Sequence, residues 1–261
     1  MSTLYNRAMK IEQLNAYLAQ RLDYESFRSI DSSLNGLQFS SPNKEVRKVV
    51  CAVDASLATF EAAALWQADA IFVHHGLFWG KPIALTDTHY KRVEILFKNN
   101  ISLMAAHLPL DGHPELGNNA TMAKLLNLED VKPFGNYHGL SIGFQGTFRE
   151  AVSIDYITEK LRLGPKTGLH ILPFGKKEIK SIGIVSGGAP NELLEAISLN
   201  LDAFVTGETS HTMYSYALES KINMISGGHY ATEVFGVLQV GKELREKFGL
   251  EVKFIDLPTS L

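Results

Sequence analysis

The sequence predicts an α/β fold of two similar lobes, each with a mixed, largely parallel sheet flanked by helices. Two observations carry this: short apolar runs alternate with amphipathic stretches along the chain, and one such stretch recurs in degenerate form. RKVVCAV (47–53) reads as a strand, SLATFEAAALWQA (56–68) as a helix capped by Asp54 or Ser56, and AIFVHH (70–75) as a buried strand. A helix near 88–99, the strand ISLMAA (101–106) and a helix from Asn118 to Leu126 follow. Near-continuous apolar strands separated by helices are buried on both faces, as in parallel sheets covered by helices. YHGLSIGFQGTF (137–148) is punctuated by glycine and predicts antiparallel pairing instead.

The repeat lays VVCAVDASLATFEAAALWQADAIFVHH (49–75) on SIGIVSGGAPNELLEAISLNLDAFVTGE (181–208) with a one-residue gap. The next strands match as well, ISLMAAHLPLD (101–111) against INMISGGHYATE (222–233). Both copies end in His-x-x-x-carboxylate, His107 with Asp111 and His229 with Glu233. Two units related by a pseudo-twofold axis would bring both pairs to a shared cleft. The expected division is 1–127 plus 229–261 for the first lobe and 128–228 for the second, with the site in the cleft.

Composition narrows the function. With 261 residues, 45% of them apolar, the chain can bury a sizeable core. A net charge of −3 without a basic patch argues against nucleic-acid binding. The single cysteine, Cys51, excludes an intrachain disulfide and any CxxC zinc motif. Inside an apolar run it reads as a buried, inert thiol, and it suits a reducing compartment. The N-terminal stretch MSTLYNRAMKIEQL lacks the apolar segment of a signal peptide. No run approaches the roughly 20 apolar residues that span a bilayer. A cytoplasmic protein without membrane contact is expected.

The polar residues that stand out are histidines and carboxylates at strand ends. His74 and His75 close the buried strand AIFVHH, and strand C-termini are where α/β sheets bind ligands. Side chains alternate along a strand, so the pair serves two metals, or one metal if the chain bends; an ordinary hydrogen-bonded pair is the alternative. His107 and Asp111 follow the next strand, where Pro109 and Gly112 speak against a helical i,i+4 arrangement. His229 and Glu233 open a periodic helical stretch and share its first turn, a spacing that suits one cation or a bridge between two. For each of these pairs, a capped or solvated turn is the alternative.

Three or four imidazoles and two carboxylates without a thiolate exclude a cysteine-rich structural zinc site and fit calcium or magnesium poorly. The mixed N/O set favours Zn, Fe, Mn, Co or Ni, and its size suits two ions about 3.5–4 Å apart, bridged by a carboxylate and water. Hydrolysis by activated water follows more naturally from such a pair than electron transfer. Glu208, in TGETSH, occupies the repeat position of His75 and is expected to support a ligand or move protons. Ser186–Asn191 (SGGAPN) is either an anion cradle or a plain strand-to-helix turn, and the turn is preferred. Asn35–Gly36 reads as a tight turn first and a functional loop second, and His113 has an ordinary surface or core reading.

Six segments carry a resemblance: DSSLNGLQF (31–39), VDASLATFEAA (53–63), AIFVHHGLFWG (70–80), HLPLDGHPELGNN (107–119), TGETSH (206–211) and GGHYATEVFGV (227–237). Over nearly its whole length the chain resembles the YbgI-type dinuclear-metal proteins, also called GTP cyclohydrolase type 2 homologues, in their short form without an inserted domain. The resemblance implies a divalent pair held by His74, His75, Asp111, His229 and Glu233, with Glu233 bridging. His107 would be a further ligand or near neighbour. It also implies a homohexamer. The expected function is hydrolysis of a nucleotide, in its sharpest form opening of the GTP guanine ring at C8 with loss of formate, His107 or Glu208 moving protons. The alternative is a non-catalytic metal-binding or protein-interaction module.

Overall fold

The computed structural model describes residues 8–42 and 45–261; the first half of the polar N-terminal stretch lies outside the described residues. In chain order the elements up to the first histidine cluster are β1 (Met9–Lys10), α1 (Ile11–Arg21), α2 (Tyr24–Phe27), β2 (Gly36–Phe39), β3 (Glu45–Val46), β4 (Lys48–Asp54), α3 (Leu57–Leu65), β5 (Ala70–His75), α4 (Asp87–Lys98) and β6 (Ser102–Ala105). There follow α5 (Leu108–Gly112), α6 (Asn118–Leu125), β7 (Glu129–Tyr137), β8 (Leu140–Val152), α7 (Ile154–Leu161), β9 (His170–Pro173), β10 (Ile179–Ile184), α8 (Leu193–Ser198), β11 (Ala203–Thr206), α9 (His211–Ser220), β12 (Asn223–Ser226), α10 (His229–Phe248) and β13 (Glu251–Phe254). Among the described residues no helix is long and apolar enough to cross a membrane.

The chain forms two compact units, residues 1–110 with 237–257 and residues 111–236 with 258–261. These bounds differ from the expected 1–127 plus 229–261. Helix α6 and the first two turns of α10 pack with the second unit, because Met122, Ala123 and Leu126 fill its core and Asn118 accepts the Gly236 amide. A hydrophobic stretch sides with the core it fills, and periodicity alone does not say which core that is.

In the first unit the sheet runs β13-β4-β5-β6-β2, all neighbours parallel except the β6–β2 pair. Its core joins Val50, Ile71, Val73 and Leu103 of the strands to Phe60 and Leu96 of α3 and α4. Ser56 caps α3 by accepting the Thr59 amide, which settles the cap and releases Asp54 for another task. The second unit has the order β7-β8-β10-β11-β12-β9. Only β10, β11 and β12 run parallel; the other three pairings are antiparallel. Tyr137 and Leu140 flank a two-residue turn at His138 and Gly139, both at positive φ, the mirror-image turn that suits strand twist.

The repeat is visible in hydrogen bonds as well as in topology. Strands β4, β5, β6 and antiparallel β2 correspond to β10, β11, β12 and antiparallel β9. Before the middle strand, the Asp69 carboxylate accepts the amides of Arg47 and Lys48, and Asp202 accepts those of Lys180 and Ser181. One residue type at one repeat position thus pins the start of the preceding strand in both units. Burial would raise the Asp202 carboxyl, but Lys176 at 2.7 Å and the two amides outweigh it and hold the group below its ordinary range. A lowered carboxyl contributes stability that is present above its unfolded pKa and lost as pH falls through the folded value. Asp202→Asn is therefore expected to cost roughly 1–2 kcal/mol at pH 7, with the gap narrowing below about pH 4. Thermal melts of both proteins at pH 7 and pH 3 measure it; an unchanged gap would contradict the role.

Candidate metal centre

In the first unit three histidines gather at the C-terminal edge of the sheet. Strand β5 delivers His74 and His75, and the chain leaving β6 delivers His107. The three ligand nitrogens lie within 4.8 Å of one another. His74 and His75, although adjacent on a strand, have ring centroids 4.6 Å apart, and His74 lies 5.1 Å from His107. His74 is fully buried.

Each ring is held from behind by an oxygen. His74 Nδ1 meets the Ala106 carbonyl at 2.9 Å, His75 Nδ1 meets Asp54 Oδ1 at 2.8 Å, and His107 Nδ1 meets Asp31 Oδ1 at 2.9 Å. A carbonyl only accepts, so His74 carries its proton on Nδ1, and the carboxylates favour the same tautomer for the other two rings. That leaves Nε2 as the nitrogen that could coordinate in all three, and an oxygen at Nδ1 is the support that orients metal-binding imidazoles and raises their basicity. His113 shows the opposite pattern: its Nδ1 accepts the amides of Glu115 and Leu116 at 3.1 and 2.9 Å. It ties a turn, as its ordinary reading expects.

Asp31 is not a candidate from the sequence. Its side chain is 1% exposed, and it accepts the Ser33 and Leu108 amides and Asn35 Nδ2 besides His107. Burial alone would raise its carboxyl, yet His107 and the other donors outweigh burial and lower it. Asn35 Oδ1 in turn accepts the His107 amide at 2.8 Å. The DSSLNG loop therefore positions His107, and in place of the expected tight turn Gly36 opens β2. Asp54 reads from the sequence only as a helix cap. The available signal is its place at the end of β4, the strand paired with β5, with Asp54 opposite His75.

The second unit gathers carboxylates. Contrary to the sequence expectation, Leu108–Gly112 is a short helix, so Asp111 stands one turn beyond His107. Proline is tolerated in a first turn, where its missing N–H has no intrahelical partner to lose, and glycine ends the helix. Asp111 is buried, and its Oδ1 accepts Ser186 Oγ at 2.7 Å and Asn118 Nδ2 at 2.9 Å. His229 and Glu233 share the first turn of α10, as expected, with His229 Nε2 3.2 Å from Glu233 Oε1. Glu233 is 3% exposed. Glu208 Oε1 lies 2.6 Å from His229 Nδ1, so the supporting oxygen seen behind His75 and His107 recurs here.

The SGGAPN segment is a turn. The Gly187 amide donates to Thr232 Oγ1, and the Gly187 carbonyl accepts the amides of Gly207 and Glu208. Gly187 adopts φ +68°, and a Cβ there would stand 2.2 Å from Glu233 Oε1. Close approach to that carboxylate is what requires the glycine. Cys51 is buried, burial pushes its thiol up to about 12, and it belongs to none of the candidate ligand clusters. The His, Asp and Glu clusters could hold a metal ion. Their donors fit a borderline divalent cation such as Zn, Mn, Fe, Co or Ni.

Known proteins match this chain over nearly its whole length. The family model for Duf34/NIF3 (NGG1p interacting factor 3) matches residues 9–260. A Treponema pallidum protein named GTP cyclohydrolase 1 type 2 homolog is 39% identical, over 97% of this chain and 100% of its own. Among solved structures, TTHA1606 from Thermus thermophilus superposes with a TM-score of 0.87 at 38% identity, covering 97% of this chain and 100% of that one. The structure of protein ybgI gives a TM-score of 0.88 at 31% identity over the same shares.

Proposed function

This chain belongs to the Duf34/NIF3 family, and from that premise we propose that it is a divalent-metal-dependent hydrolase of a nucleotide, with GTP and formate as its substrate and product. The observation that supports the reading is the oxygen behind Nδ1 of His74, His75 and His107, which leaves Nε2 of each as the nitrogen able to take a cation or exchange a proton. Imidazoles with only structural work to do have no need of one shared tautomer. The names of the relatives supply the substrate class.

In this reading, which follows the family resemblance, His74, His75, Asp111, His229 and Glu233 would hold two divalent ions. Such a pair supplies Lewis acidity and lowers the pKa of coordinated water towards neutrality. The chain's own residues do the rest. Asp54 and the Ala106 carbonyl fix the rings of His75 and His74, while Ser186 and Asn118 orient the Asp111 carboxylate. His107, backed by buried Asp31, and Glu208, half exposed and in contact with His229, would move protons in this reading. Glu208 is open to bulk water, the contact a general acid–base group needs between turnovers.

The test is formate release from GTP by protein loaded in turn with Zn, Mn, Fe, Co and Ni. Formate in stoichiometric yield with at least one metal is expected, lost in His107→Ala. No formate with any metal overturns the cyclohydrolase assignment and favours a binding module.

A further inference from the structure

In the first unit the three histidines are joined by a fourth ring. Trp79, in HHGLFWG, has its centroid 4.9 Å from that of His107 at 77° and 5.9 Å from that of His75. Its one polar atom is already used: Nε1 donates to the Gly76 carbonyl at 3.0 Å. What the indole offers its surroundings is therefore an apolar π surface in a fixed orientation. It is only half buried, so filling a core is not its task.

The frame around it is rigid. Gln38 Nε2 donates to the Leu34 carbonyl at 2.8 Å while its Oε1 accepts the Leu77 amide at 2.7 Å, and the Leu34 amide donates to Phe78 O. Gly76 is required there because a Cβ would stand 2.2 Å from Gln38. This lacing leaves the Leu34 side chain 53% exposed on the loop bound to the Trp79 segment. The half-exposed indole thus presents an apolar face beside three candidate ligands.

We propose that Trp79 is the platform on which a planar heteroaromatic ring of the substrate stacks, holding that ring against the imidazole cluster. The inference rests on the nucleotide reading above and adds the residue that recognises the base. Tryptophan suits the role because it supplies a large contact area with only two side-chain torsions to fix. Its face also accepts any flat heterocycle, so specificity for one base would come from other groups.

The test uses metal-loaded protein carrying Trp66→Phe, so that Trp79 is the single tryptophan emitting. GTP is the probe, and tripolyphosphate, which lacks the base, is its control. GTP is expected to quench Trp79 emission, and tripolyphosphate to leave it unchanged. In calorimetry, Trp79→Ala should weaken GTP binding by roughly five- to a hundredfold, the range of base–aromatic stacking, with Trp79→Phe recovering most of it. Tripolyphosphate affinity and bound metal should stay at the parent level in both variants. Equal GTP affinity in Trp79→Ala overturns the platform alone. Absence of GTP binding to the loaded parent overturns the platform and the nucleotide reading together.

Discussion

Glu233→Ala is expected to strip most of the metal from the protein, for which the proposed function predicts close to two ions per chain. Glu233 is the carboxylate that the family resemblance implies would bridge the ions, it is 3% exposed, and it stands on the same helical turn as His229. Removing a bridging carboxylate takes a ligand from both ions at once, and alanine offers no donor in its place. Elemental analysis after exhaustive dialysis measures the loss. Circular dichroism should show a folded variant, since the change only shortens a side chain on a 20-residue helix. Two ions retained by the folded variant would sink the ligand assignment.

Gly187→Ala is expected to damage both fold and site, though it adds a single methyl. Gly187 has φ +68°, a region costly for alanine, and its Cβ would lie 2.2 Å from Glu233 Oε1 and 3.3 Å from His229 Nε2. The first nearby atom belongs to the buried Glu233 side chain on the first turns of α10, which must shift to admit the methyl. We expect a loss of roughly 2–4 kcal/mol in unfolding free energy, with bound metal falling as Glu233 is displaced. Denaturant titration and metal analysis read the two effects separately. Neighbouring Gly188 is the control: its added Cβ would meet nothing nearer than 3.5 Å, so Gly188→Ala should be close to neutral. Similar behaviour of the two variants would refute this account.

Much of the site is legible in local pattern. A β-rich run ending in His74–His75 and a periodic stretch opening with His229 and Glu233 each place their donors by period alone. The repeat then points to His107 with Asp111 and to Glu208. Other features are hidden for identifiable reasons. Pro109 and Gly112 speak against a helix that forms because proline leads it and glycine ends it. Trp79 looks like any apolar residue until its ring is placed against His107.

By itself the sequence determined the α/β class, the repeat and the donor chemistry, because strand and helix periods and residue types are local properties. Tertiary structure decided which nitrogen of each histidine can coordinate. That choice belongs to Asp54 and Asp31, which lie 21 and 76 residues from the rings they hold. It also decided that Gly187 serves close approach to Glu233 and that α6 fills the core of the second unit. Strand order brings such partners together, and hydrogen bonds and contacts between distant segments leave no periodic trace in the chain.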